Sequence, residues 1–370
     1  MKKEQILPGG DYLRYDDQSA VVELTAPRLV LSTSYLNGGM RDDLQYLFNF
    51  SEVYGVPDER CEMRAPTNEG HLRLIAEELG LNPQLTAGLS TAAKMKYLQV
   101  KQSGFADFIV TAAVTAGLDV SGNRIGDPVF WHEEAGVPTP IQAGTINIML
   151  HINVNLTPGA MVRAMTVCSE AKTAALQELL VPSCFSDGLA TGSGTDGTIV
   201  ICPLEAPVQL TNAGTHVKLG EQIGSLVKET VKAALIAENG FKAYARGSLL
   251  KRVSRFGINE KSLWLAFKKL YGEEADPGRF KRSLQQVNGD EKLILEATLI
   301  GHLIDLLQWR MADSREVAAS ARERLLPFGG IRGVELEQLM TGGGRTTAGL
   351  VNAIVKALEM ALLAAISRLQ

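Results

Sequence analysis

The stretch GLATGSGTDG, Gly188 to Gly197, sets four glycines among hydroxyl and carboxylate side chains, and the apolar run TIVI follows at once. Glycine lets backbone N–H groups approach a ligand closely. Three readings follow: a surface turn, a cradle for phosphate, or part of a site that cleaves a bond. Asp187 and Asp196 flank the loop. In GTHVKLGE, His216 sits just before an amphipathic helix, where a neutral imidazole can act as a base. A lone histidine is more often structural than catalytic. NRIGDP brings Arg124 and Asp127 into one turn, which an ordinary surface ion pair also explains. Glu170 and Thr173 lie one turn apart on a helix and share a face, either solvated or turned to a site. His151 lies on a polar strand face; His71, His132 and His302 have no evident partners. STAAK, Ser90 to Lys94, holds a T-x-x-K spacing that reads better as a helix start.

Several catalytic patterns are absent. There is no H-E-x-x-H, G-x-S-x-G or G-x-x-x-x-G-K-[ST], and no G-x-G-x-x-G opens a helix after a strand. GSGTDG leads into a strand, the reverse of a Rossmann phosphate loop. Cys61, Cys168, Cys184 and Cys202 form no C-x-x-C pair, so neither a zinc ribbon nor a disulfide framework is indicated, and reduced thiols in a cytoplasmic setting fit. A net charge of −4 gives no basic excess for nucleic acid or an anionic membrane.

These groups need elements to hold them. TINIMLHINVNL reads as a strand with Ile146, Ile148, Leu150, Ile152 and Val154 on its core face. Asn147, Met149, His151, Asn153 and Asn155 lie on an unusually polar opposite face. Thr157 and Pro158 open a helix through GAMVRAMTVCSEAKTAALQEL. The glycine loop, the strand TIVICPL and a helix over Lys218–Glu238 follow. This alternation predicts an α/β fold, a layered sheet-and-helix core with an α-helical C-terminal extension. We place the boundary at 238/239, within the change of character over 236–245. The extension includes a second glycine-rich turn, TGGGRTTAG, Thr341 to Gly349.

The 370 residues supply enough apolar material for a sizeable core. The lysines of the opening MKKEQILPGG precede no apolar segment, so no signal peptide is expected. The final segment is long enough to span a bilayer. Lys356 and Glu359 in its middle would each cost roughly 2.5–3.5 kcal/mol to insert. With Asn352 and Ser367 they fall near one stripe, as on a mostly buried helix or an oligomer contact. No membrane insertion is expected; burial within the chain and a homo-oligomer contact are the two open readings.

Taken together, the segments resemble the adenosylcobinamide amidohydrolase family. The matching pieces are LNGG at Leu36, GLSTAAKM at Gly88, FIVTAAVTAGL at Phe108, NRIGD at Asn123 and AGTINIMLHINVNLTPGAMVRAM at Ala143. SEAKTAALQEL at Ser169, GLATGSGTDGTIVI at Gly188 and GTHVKLGEQIG at Gly214 complete the set, over roughly residues 30–235. DPVFWHEEAGVPTP looks like an insertion, and the C-terminal third lies outside the resemblance. The resemblance implies that water cleaves the amide between the corrin f-side chain and aminopropanol. The corrinoid is then the substrate, and no cofactor or metal is expected.

For that chemistry we assign His216, Asp196, Glu170 and Lys218 as the catalytic candidates. His216 or a carboxylate would activate water, and backbone N–H groups of Gly192 and Gly194 would hold the oxyanion. Asn37, Arg124, Asp127, Asn147, His151, Thr191, Gly192, Gly194 and Thr195 are the binding candidates. A corrinoid-binding protein without turnover and a phosphate or nucleotide binder remain as alternatives.

Overall fold

The computed structural model describes residues 3–53, 63–118, 121–128, 144–239, 247–329 and 346–369. Most of the expected insertion, with His132, and most of the second glycine-rich turn lie outside them. The chain divides into two compact units: residues 1–185 with 189–241, and residues 186–188 with 242–370.

The first unit is α/β, with two sheets packed face to face. One has the order β1 (Lys3–Ile6), β2 (Tyr12–Tyr15), β3 (Ser19–Glu23), β6 (Tyr46–Ser51), β7 (Thr86–Thr91). The other runs β5 (Gly39–Arg41), β4 (Arg28–Ser32), β12 (Gly197–Pro203), β10 (Ile146–Ile152), β9 (Phe108–Ala116), β8 (Gln99–Phe105). Leu13, Val22, Leu47 and Leu89 of the first sheet meet Val30, Ala113, Met149 and Ile199 of the second in one core. The alternation of β6 explains its two-sided burial: Leu47 faces that core, while Phe48 and Phe50 pack with Leu72 and Ile75 of α1 (Asn68–Glu78). Strand β11 (Asn155–Leu156) follows β10, and helices α2 (Pro158–Glu178) and α3 (Lys218–Asn239) pack on the second sheet.

Both faces of β10 are therefore buried. The unusually polar face lies between the sheets. On the other face of the first sheet, toward α1, Gly88 of β7 makes room for the ring of its cross-strand partner Phe48: a Cβ on it would lie 2.0 Å from that ring. Strands β10 and β12 run parallel, joined through α2, so their N-terminal ends lie side by side and the second half of α2 returns to that end.

His151 sits near the far end of β10, in a buried cluster. Its Nε2 lies 2.9 Å from Asp11 Oδ2, and Arg28 reaches Asp11 through Nε at 2.7 Å. Burial alone would raise the Asp11 carboxyl. Hydrogen bonds from His151, Arg28 and the Thr25 N–H, with the Arg28 charge, outweigh it and hold the group at about 2. His151 thus ties the two sheets together and does not face an open pocket, which corrects its assignment to substrate binding.

The second unit is helical: α4 (Leu249–Val253), α5 (Glu260–Tyr271), α6 (Pro277–Asn288), α7 (Glu291–Gln308), α8 (Ser314–Leu325) and α9 (Thr347–Ser367). Its helices start where short polar side chains cap them. Ser248, Asn259, Asp276, Asp290, Asp313 and Thr346 each accept a first-turn N–H. Phe267 and Phe280 pack at 5.2 Å within a core that Ile354, Leu358 and Leu362 of α9 complete. Helix α9 is long and apolar enough to cross a bilayer, yet 61% of its most apolar window is buried within the protein. Of its polar stripe, Asn352 and Lys356 are exposed and Glu359 is half-buried and bonded to Lys356.

Asp11→Ala would strand the buried Arg28 and His151, and should destabilise the first unit by about 3–5 kcal/mol in urea unfolding. The wild-type contribution should be complete above the unfolded carboxylate value, about 3.9. It should fade as pH drops through about 2, because the folded value is depressed. Asp11→Asn should flatten that part of the stability profile.

Candidate active site

At the N-terminal ends of β10 and β12 the polar groups converge on one carboxylate. Asp196 Oδ1 accepts from Ile146 N at 3.0 Å and Ser193 Oγ at 2.7 Å. Asp196 Oδ2 accepts from Ser193 N at 2.9 Å and from Lys172 Nζ of α2. Beside it, Thr145 Oγ1 and Thr195 Oγ1 lie 2.5 Å apart, and Thr195 Oγ1 also reaches Gly144 O at 3.2 Å. The parallel pairing of Asn147 with Gly197 brings the segments that lead into the two strands, with Thr145 and Thr195, side by side. Lys172 and Asp196 are largely buried, with 15% and 12% of their side chains exposed.

Asn147 is enclosed one step deeper. Its Nδ2 donates to Asn49 Oδ1 at 2.8 Å and Ser90 O at 2.9 Å, and Asn49 donates in turn to Thr115 Oγ1. Asn147 Oδ1 and Ser121 Oγ are buried without hydrogen-bond partners. Each sits against a glycine. A Cβ on Gly197 would lie 2.8 Å from Asn147 Oδ1, and one on Gly144 1.9 Å from Ser121 Oγ.

The glycine loop and the NRIGD turn come together. Asn123 bridges to Gly192, Thr191 N donates to Asn123 O, and Ile125 N donates to Thr191 Oγ1. Thr173 Oγ1 fastens the same loop to α2 through Thr191 O. Arg124 and Asp127 share their turn as expected, with Arg124 N on Asp127 Oδ2, which also accepts from Ser183 Oγ at 2.6 Å. Gly192 is needed for the ion pair: a Cβ there would lie 2.3 Å from Asp196 Oδ2 and 3.0 Å from Lys172 Nζ. Its N–H donates to Asn123 O, so it is not directed at an oxyanion; Gly194 is exposed.

Other candidates lie elsewhere. His216 is exposed, with Nε2 3.3 Å from Asn212 Nδ2, at the start of α3. Lys218 pairs with Glu221 at 2.8 Å and covers the Phe105 ring. That is the Phe105–Phe108 end of the second sheet, whereas Asn147 and Gly197 align with Thr115. The seven steps of β9 from Phe108 to Thr115 amount to roughly 23 Å at about 3.3 Å per residue. His216 and Lys218 therefore cannot act on an amide held at the glycine loop. Glu170 is exposed and, two residues from Lys172, is turned roughly 200° from it around α2. Asn37, at φ 52°, donates to Pro83 O and Thr86 O, each at 2.8 Å, and holds a loop. Asp187 belongs to the helical unit, where Arg255 donates to its carbonyl.

Sequence reasoning passed over Lys172 and Ser193. Lys172 carried a signal: it follows Cys168 by four residues, on the stripe that buries Ala164, Cys168, Ala171 and Ala175. A lysine there needs a partner inside. His71 also has one, with Nε2 2.8 Å from Glu52 Oε1 and Nδ1 accepting from Arg64 N.

The adenosylcobinamide amidohydrolase family matches residues 7–243. The chain belongs to this family. An uncharacterized protein of Methanocaldococcus jannaschii is 33% identical over 238 residues, 61% of this chain and 89% of that protein. An adenosylcobinamide amidohydrolase of Methanosarcina mazei is 30% identical over 208 residues, 54% of this chain and 86% of that enzyme. Among solved structures, a beta-aminopeptidase of Burkholderia sp. aligns over 60% of this chain and 80% of its own, with 14% identity and a TM-score of 0.31. An L-aminopeptidase D-Ala-esterase/amidase of Ochrobactrum anthropi aligns over 64% and 83%, with 12% identity and a TM-score of 0.30.

Two substitutions separate the two ends of the second sheet. Gly192→Ala should displace Asp196 from Lys172 and lower kcat/KM by about 10²-fold, the usual effect of misplacing a reacting group by an ångström. His216→Gln should leave kcat/KM within roughly threefold of wild type, since it touches no interaction made at the glycine loop. Steady-state amide hydrolysis checks both, and a tenfold loss in His216→Gln would return the base to α3.

Proposed function

We propose that this amidohydrolase-family protein hydrolyses the amide joining aminopropanol to the corrin f-side chain of adenosylcobinamide, giving adenosylcobyric acid in corrinoid salvage. One observation carries the reading. The family match spans every element of the Lys172–Ser193–Asp196 cluster, and that cluster gathers carboxylate, ammonium and hydroxyl groups at one end of the sheet pair. Amide hydrolysis needs a proton acceptor, donors for the carbonyl oxygen and a proton for the departing amine. The surroundings suit a large amphipathic substrate. Ile125, whose N–H donates to Thr191 of the glycine loop, is 84% exposed at the tip of the NRIGD turn and offers apolar surface next to that loop. Peripheral amides of a corrin ring can meet the exposed Thr195 hydroxyl and the Gly194 backbone.

The loop chemistry disfavours the phosphate reading. N–H groups of Gly192, Ser193 and Thr195 are spent inside the chain, and a carboxylate occupies the centre. A phosphate cradle needs free N–H groups and no negative charge.

The purified protein should release aminopropanol from adenosylcobinamide, seen by mass spectrometry of both products. Activity should persist after dialysis against a chelator and need no nucleotide. Corrinoid binding without product would assign the protein to binding alone; loss on chelation with recovery on one metal would overturn the metal-free chemistry.

A further inference from the structure

Asp196 has four acceptor sites in use, and they define what it can deprotonate. Two are taken by the backbone N–H groups of Ile146 and Ser193, which do not become nucleophiles. A third is taken by Lys172, whose attack would leave a new amide and no hydrolysis. The fourth is taken by the Ser193 hydroxyl, at 2.7 Å. A water molecule would have to displace one of these donors to reach the carboxylate. Thr195 N donates to Ser193 Oγ at 3.2 Å, which further fixes the oxygen, and the half-buried Ser193 remains reachable. Resting on the amidohydrolase reading above, we propose that Ser193 is the nucleophile and that hydrolysis passes through an ester on its Oγ.

The steps balance. Oγ bonds to the amide carbon as its proton passes to Asp196 Oδ1. The C–N bond then breaks, and the nitrogen takes that proton and leaves as the amine. Water attacks the ester carbon, giving its proton to Asp196. The C–Oγ bond breaks, Oγ recovers the proton, and the acid is released. Lys172 acts as a positioning residue, holding Oδ2 so that Oδ1 faces Ser193.

The test combines turnover with labelling by phenylmethylsulfonyl fluoride, which reports an activated serine without any corrinoid. Wild type should gain one sulfonyl group, mapped to Ser193 by peptide mass spectrometry, and Asp196→Asn should not. Ser193→Ala should lose about 10³-fold or more in kcat. Corrinoid binding by Ser193→Ala and its circular dichroism should match wild type, which separates lost chemistry from misfolding. Ser193→Cys, a second nucleophile, should recover part of the turnover or accumulate a covalent corrinoid adduct. If wild type hydrolyses adenosylcobinamide and folded Ser193→Ala keeps more than a tenth of the rate, the ester route is overturned while the functional reading stands. If wild type does not hydrolyse it, that reading fails, and the absence of label on Ser193 then overturns the nucleophile as well.

Discussion

The Asp196 carboxylate is the point on which the site depends. Its four donors come from the start of β10, from the glycine loop and from α2, so one side chain fixes three segments that are far apart in sequence. A largely buried carboxylate without donors is strongly disfavoured, and one with a full set is held in a single orientation. The glycines serve that approach. Gly192 lets Lys172 and Asp196 meet over it, and Gly197 lets Asn147 and Leu89 close beneath. The question raised by the glycine-rich stretch thus has a structural answer first. It is a loop whose lack of side chains admits an ion pair.

The two ends of the sheet pair divide their work. At the far end, Asp11, Arg28 and His151 form a closed, buried group that joins the sheets. At the near end, the half-buried Ser193 and the exposed Thr195 lie around the ion pair with access to solvent, over the buried Thr145. The parallel pairing of β10 and β12 produces this polarity. Both strands begin at the same edge, so their first residues and the loops before them gather there, while α2 carries Lys172 back to the same place.

The sequence alone determined much of this. Period-two alternation located β10, Thr157–Pro158 marked the start of α2, and the alternation of element types specified a layered α/β core followed by helices, whereas STAAK, read as a helix start, proves to be the end of β7. It also located the NRIGD turn and the glycine loop, which the fold joins through Asn123 and Gly192. Those features are local: each depends on residues a few positions apart.

Only the tertiary structure decided which of the polar residues share a site. Alternation shows that a strand has two faces but not what covers them: Asn147 and His151 mark a polar face of β10, and only the structure shows the first sheet lying on it. His216 and Asp196 are 20 residues apart in sequence yet belong to opposite ends of the second sheet, because β12 intervenes and carries the chain along its length. Lys172 and Ser193 are 21 apart and meet through Asp196, because α2 runs back against that strand. Sequence separation is nearly the same in the two cases. The direction of the connecting elements decides the outcome, and that direction is set by packing around a core that no local pattern records.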